Sequence, residues 1–140
     1  MADSSFVLDC SVAVSWCFAD EASEAGDALL RRLAADGAVV PGLWFLELAN
    51  VLLGAVRRGR ASHAEIHAFL GQLERLPVTK DAKTADRAFG QTLALAAAHD
   101  LTAYDAAYLE LAMRRGLPLA TRDAALIRAA RATGVELLDC

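Results

Sequence analysis

Along this chain, short β-branched and aromatic runs alternate with longer segments whose apolar residues recur at helical spacing. Phe6 to Cys10 follows a polar tip and predicts a buried strand, since a short continuous apolar run suits a strand covered on both faces. Ser11 is placed to cap a short helix running to Phe18, ahead of the acidic pair Asp20 and Glu21. Ser23 to Ala35 carries Ala28, Leu29, Leu30 and Leu33 at helical spacing and stops at Gly37. Ala38 to Pro41 is too short for a helix and predicts a second strand. Leu43 to Arg57 is apolar nearly all round, which predicts a central, buried helix ending at Gly59. Ser62 with Glu65 makes a capping-box pattern for a helix reaching about Leu76. Pro77 to Thr79 reads as a strand or extended link, and Thr84 to Ala98 as an alanine-rich helix with Phe89, Leu93 and Ala96 on one face. Tyr104 to Arg115 predicts a helix ended by Gly116, Leu117 to Thr121 a strand, Ala124 to Ala132 a helix ended by Gly134, and Val135 to Leu138 a last strand.

Strands alternating with helices throughout imply an α/β fold, a parallel sheet with helices on both faces. No repeat, low-complexity tract or linker interrupts the pattern, so residues 1–140 are expected to form a single domain with a substantial core. The apolar fraction of 56% and mean hydropathy of +0.32 exceed the roughly 45–50% apolar usage of ordinary globular chains. The longest uncharged stretch, Ala88 to His99, falls well short of the ~20 residues that span a bilayer. The surplus apolar surface is therefore expected to meet another protein chain and not a membrane. The start lacks a signal-peptide pattern, and Cys10, Cys17 and Cys140 have no zinc-like spacing, which points to a reducing cytoplasm.

Four acids change the picture. Asp9 ends the first apolar run, Glu47 interrupts LWFLELANVLL, Asp105 opens YDAAYLELAM, and Asp123 follows PLATR. An ionised carboxylate among apolar neighbours costs several kcal/mol unless it is paired or binds a cation. No Lys or Arg flanks Asp9 or Glu47 in sequence. In open parallel sheets, sites form beyond the carboxyl ends of strands, and all four acids fall at that edge of the predicted sheet. Net charge is −4, and setting these four acids aside leaves as many acids as bases, so a loaded metal site would balance the protein electrically. The arginine and lysine clusters themselves read as solvated helix ends.

Each acid also has a local explanation. Thr102 and Asp105 fit a capping box, Asp123 suits the first turn of a helix, and Asp9 with Ser11 fits a turn ending a strand. Glu47 has no such role, its only sequence-local partner being Asn50 one turn on. Separate local roles do not account for one shared edge, and a joint metal site does. Hard oxygen donors suit Mg²⁺ or Mn²⁺, ions that acidify water and neutralise charge on a phosphoryl group. Phosphodiester hydrolysis follows most naturally. His63 and His67 lack the HExxH order, no glycine-rich nucleotide cradle is present, and Asp9-Cys10-Ser11 lacks the second Asp of an aspartyl-phosphate phosphatase. Trp16, Phe18, Trp44 and Phe45 are core candidates that would also suit a groove.

Taken together, FVLDCSVAVSW, VPGLWFLELANVLL, LTAYDAAYLELAMRRGLPLATRDAAL and the closing GVELL resemble the PIN-domain family, specifically the VapC-type toxins of bacterial toxin–antitoxin pairs. The resemblance spans nearly the whole chain in order. It implies a three-layer α/β/α sandwich around a short, mostly parallel sheet. It also implies a Mg²⁺- or Mn²⁺-dependent endoribonuclease, a homodimer, and a small VapB-like antitoxin as partner. By the same likeness Asp9, Glu47, Asp105 and Asp123 match the catalytic, metal-binding quartet, with Ser11, Thr121 and Asn50 as its supporting residues. Two other functions remain open: a metal-dependent phosphatase of small phosphate esters, and a catalytically silent interaction module.

Overall fold

The computed structural model describes residues 3–140, so the first two residues of the expected 1–140 domain lie outside the description. The apolar runs FVL and AVV form β1 (Phe6–Leu8) and β2 (Ala38–Val40), both buried at every position. The more polar VTK forms β3 (Val78–Lys80), and Leu119–Ala120 forms β4. The strand order is β3-β2-β1-β4 and every pairing is parallel, with Val7 opposite Val39 and Leu119, and Val39 opposite Thr79. The apolar β1 and β2 are the central pair, the short apolar β4 is buried at one end of the order, and β3 sits at the other edge, where Thr79 and Lys80 reach water.

Among the described residues the helices are α1 (Cys10–Ser15), α2 (Glu24–Asp36), α3 (Trp44–Arg57), α4 (His63–Leu73), α5 (Thr84–Arg87), α6 (Leu93–His99), α7 (Ala103–Arg115) and α8 (Ala124–Thr133). They flank the sheet as the outer layers of the expected α/β/α sandwich. Helix α7 packs on β1 and β4 through the buried Tyr108, Leu109 and Leu111. Its N-terminus is capped by Thr102, whose Oγ1 accepts from the Asp105 N–H at 3.1 Å. The Ser62–Glu65 capping box forms with both of its bonds, as expected.

The structure corrects the sequence reading at several elements. Helix α3 is not buried all round: Trp44, Leu48, Leu52 and Ala55 face the core, but Phe45 is 46% and Leu46 77% exposed. Apolar content alone does not distinguish a buried helix from one whose outer face is left for a partner. The expected helix over 84–98 breaks at Gly90, whose φ of −107° and ψ of −105° are not helical, within a wide π-type turn at Ala88–Thr92. Of the three residues expected on one face, Phe89 is 94% exposed and Leu93 is also exposed, while Ala96 is buried. The last strand shrinks to a single parallel bridge between Leu119 and Leu137. That bridge rests on bonds from the Leu119 N–H to the Glu136 carbonyl at 2.8 Å and from the Leu138 N–H to the Leu119 carbonyl at 3.0 Å. A β4 of two residues offers no edge for more. Finally, Asp9 and not Ser11 occupies the cap position of α1.

One basic cluster is more than a solvated helix end. Arg114, near the end of α7, pairs with Asp81 at 2.7 Å and with Glu110 at 2.7 Å, and both carboxylates are buried. Asp81 follows β3, so the ion triad pins α7 to the sheet edge.

Candidate active site

The parallel strands deliver the acids. β1 runs directly into Asp9, β4 into Thr121 and Asp123, and the loop after β2 into the first turn of α3, where Glu47 stands. Asp105 enters from the first turn of α7. All four line a single open cavity of about 350 Å³, together with Cys10, Ser11, Val14, Glu21, Val51 and Arg122.

Asp9 is 5% exposed and held firmly. Its Oδ2 accepts from the Ser11 hydroxyl at 2.6 Å and from the Thr121 hydroxyl at 2.7 Å. The same hydroxyls close the strand ends: Ser11 Oγ, past β1, accepts from the Arg122 N–H past β4 at 2.9 Å, and Thr121 Oγ1 accepts from the Asp123 N–H two residues on at 3.0 Å. Ser11 and Thr121 therefore orient the carboxylate and close the strand ends at once. Glu47 is oriented from far along the chain, its Oε1 accepting from the Tyr108 hydroxyl of α7. Asp123 caps α8 through a bond from the Leu126 N–H to Oδ2 at 2.9 Å. Only one half of the capping box at Asp105 forms, the half made by the Thr102 hydroxyl and the Asp105 backbone. The Asp105 carboxylate is left to the cavity wall.

The electrostatics are those of crowded acids. Burial, followed by the fields of Asp123 and Asp9, pushes the Asp105 carboxyl up to about 6. Burial also raises Asp9 above the ordinary carboxylate range, against the hydrogen bonds from Ser11 and Thr121 and with a further push from Asp123. Glu47 is raised by burial and by Asp9 and Asp105, while the Tyr108 bond opposes the shift. Burial and then the charges of Asp9 and Glu47 push the Cys10 thiol up to about 12, so it lines the cavity as a protonated, unreactive group.

Among the described residues no three acidic, histidine or cysteine side chains stand close enough together to grip an ion as they are. The donor set nevertheless fits a hard divalent cation. It consists of carboxylates and hydroxyls, and three of its acids resist ionisation through burial and mutual repulsion, which a cation relieves. No ion pair with Lys or Arg neutralises any of the four acids among the described residues.

Of the remaining residues singled out from the sequence, Asn50 is exposed and does not line the cavity. His63 and His67 are exposed on α4, away from it. Sequence reasoning missed Tyr108, whose place in an apolar stretch reads as core, and Arg122, which stands between two of the marked residues. Spacing offered one hint for Tyr108: it lies one helical turn after Asp105.

Comparison with known proteins fixes the class. The model of the PIN domain family matches residues 6–132, and the chain belongs to that family, one of nucleases. Among solved structures it is similar to PAE2754 from Pyrobaculum aerophilum, with 24% identity over 89% of this chain and 78% of that one, at a TM-score of 0.67. It is also similar to FitAcB from Neisseria gonorrhoeae, with 22% identity over 96% of both chains, at a TM-score of 0.57. At these identities the likeness is one of fold. No curated protein matches the sequence.

Proposed function

We propose that this protein is a Mg²⁺- or Mn²⁺-dependent endoribonuclease of the VapC type, the toxin of a cytoplasmic toxin–antitoxin pair. The observation that carries this reading is the convergence of Asp9, Glu47, Asp105 and Asp123 on one cavity without an ion-paired base. In this reading Asp9 and Asp123 hold the cation directly, and Glu47 and Asp105 complete the ligand set or orient the attacking water. A cation there would acidify water and neutralise charge developing on the phosphoryl oxygens. Ser11 and Thr121 keep Asp9 Oδ2 oriented, which leaves Asp9 Oδ1 free of side-chain partners for a ligand. Tyr108 holds Glu47 in the same way. Asp105, whose carboxylate lines the same cavity, would take a proton from the water as it adds to phosphorus. The P–O3′ bond breaks, leaving a 5′-phosphate on one fragment and a 3′-hydroxyl on the other.

The exposed apolar face of α3 (Phe45, Leu46 and Leu53) supports an assembly in which the chain pairs with a second copy and receives a VapB-like antitoxin. No described helix is long and apolar enough to cross a membrane. The test is cleavage of single-stranded RNA with Mg²⁺ or Mn²⁺, with EDTA, and with Glu47→Gln and Asp123→Asn. Cleavage that needs metal and all these acids, with growth arrest on expression without antitoxin, is the expected result. Hydrolysis of a chromogenic phosphate ester with RNA left intact would replace the ribonuclease by a phosphatase. No hydrolysis of either would leave an interaction module.

A further inference from the structure

A second cavity of about 300 Å³ adjoins the acidic one, and the two share Glu21 and Arg122 as a common wall. Its volume lies at the low end of ligand pockets, roughly 300–1,000 Å³, room for one nucleoside and not for a longer chain. Its lining is mixed: the partly buried Trp16, Leu30 and Ser23, and the exposed Asp27. Gly26 contributes to the floor, where a Cβ would come within 3.0 Å of Ser23 Oγ, 3.5 Å of the Arg122 guanidinium and 3.8 Å of the Trp16 indole nitrogen.

Arg122 is the unusual member of this wall. Its guanidinium donates to the Glu21 carbonyl at 3.2 Å and the Ser23 hydroxyl at 3.4 Å, and the Cys140 thiol stands beside it. All these partners are uncharged. Among the described residues no carboxylate pairs with it, although it shares a cavity with five acids. Two contacts also leave several of its five N–H donors over. The loop it touches is braced from the other side by Arg60, which pairs with Asp20 at 2.8 Å and Glu21 at 2.9 Å and lies 3.8 Å over the Phe18 ring. A guanidinium without a carboxylate partner in a cavity wall suits a phosphate, since planar donors match phosphate oxygens in pairs.

We propose that Arg122 binds the phosphate next to the scissile linkage of single-stranded RNA, and that the cavity behind it receives the base of that nucleotide. The acids would then act on one phosphodiester while its neighbour is held one nucleotide away, which fixes the register of cleavage. Trp16 supplies the apolar wall against which a base can lie, and Asp27 an acceptor for an N–H on the base edge. This proposal rests on the ribonuclease reading of the acidic cavity.

The test measures binding of a short single-stranded RNA to the intact protein in EDTA, where no cleavage occurs, across a range of salt. Arg122→Met is expected to weaken binding about tenfold and to flatten the salt dependence by about 0.7 in slope, the loss of one phosphate contact. Arg122→Lys should recover the slope. Cys17 lines the second cavity and is partly exposed, so bound RNA should slow its alkylation by N-ethylmaleimide severalfold in the unmutated protein. The alkylation arm needs no variant and stands even if Arg122→Met folds poorly. Unchanged affinity and slope in a folded Arg122→Met would overturn the phosphate grip. Full Cys17 reactivity at saturating RNA would overturn the base cavity. Wild type that cleaves RNA while Arg122→Met binds it equally well sinks this proposal alone, whereas wild type that neither binds nor cleaves RNA sinks the ribonuclease reading beneath it.

Discussion

The hydroxyl of Tyr108, a fully buried residue at the middle of α7, donates to Glu47 Oε1 on α3, sixty-one residues earlier in the chain. One side chain thus serves two purposes. Its ring fills the core beside β1, and its hydroxyl sets the position of a half-buried carboxylate in the cavity. Burial and the neighbouring carboxylates also drive the Tyr108 hydroxyl far above its ordinary pKa, so it remains a donor at any working pH.

Tyr108→Phe keeps the ring and removes that donor. The Glu47 carboxylate then loses the one influence that favours its ionised form, and its pKa should rise further. Loss of the bond should cost about 1–2 kcal/mol, measurable as a lower urea midpoint at neutral pH. RNA cleavage should fall more than RNA binding does, because the fold stays and only Glu47 is released. A variant with wild-type stability and turnover would show that the bond orients nothing.

Asp105→Asn tests the crowding of the acids through pH. The folded chain binds the Asp105 proton more tightly than the unfolded chain does, with a pKa near 6 against an ordinary 3.8. Between those values the folded state carries more protons, so this group's contribution to stability falls as pH rises, and it levels off above about 6. In the absence of metal, Asp105→Asn should match wild type near pH 4 and melt at a higher temperature near pH 7. A melting difference that does not change over this range would contradict the crowded arrangement. The Thr102 cap itself uses the Asp105 backbone and should survive the substitution.

Most of the architecture was legible from the chain because its signals are local. The short runs FVL and AVV, bounded by polar tips and a glycine, are strands, and Ser62 with Glu65 marks a helix start through contacts made within one turn. What was not legible depends on distant partners. The apolar ring around α3 gave no sign of which face meets the core, since that depends on what packs on it. Gly90 breaks a helix whose alanine-rich sequence favours continuity. The acids could be placed at one sheet edge because each follows a strand or opens a helix. Tyr108 and Arg122 could not, because a tyrosine in an apolar helix and an arginine in a turn acquire their roles only from residues far off in sequence.

Arg114→Ala should separate fold from site. It strands the buried carboxylates of Asp81 and Glu110, at a cost of about 3 kcal/mol. None of the three residues lines the acidic cavity. At a temperature where the variant remains folded, its metal-dependent cleavage per folded molecule should equal that of wild type, read by activity alongside circular dichroism. A selective loss of turnover would mean that the ion triad reaches the site.

The exposed Phe45 and Leu46 on α3 predict that the isolated protein runs as a dimer at tens of micromolar by light scattering. A standard interface of about 800 Å² per partner would cover such a face. Phe45→Ser with Leu46→Asp should shift the mass to a monomer without lowering the melting temperature greatly. A wild type that is strictly monomeric would contradict the pairing of copies through this helix.

The account turns on the four carboxylates acting together on a cation, and calorimetric titration of the protein with Mn²⁺ at pH 7.5 measures this without any substrate. Wild type should bind Mn²⁺ with a defined stoichiometry, and Asp9→Asn should abolish or severely weaken that binding while leaving the fold intact by circular dichroism. Asp9 is the informative choice, because its two hydroxyl partners keep an Asn in place and only the charge is lost. Equal binding of Mn²⁺ by wild type and by Asp9→Asn, or no binding by either, would contradict the account.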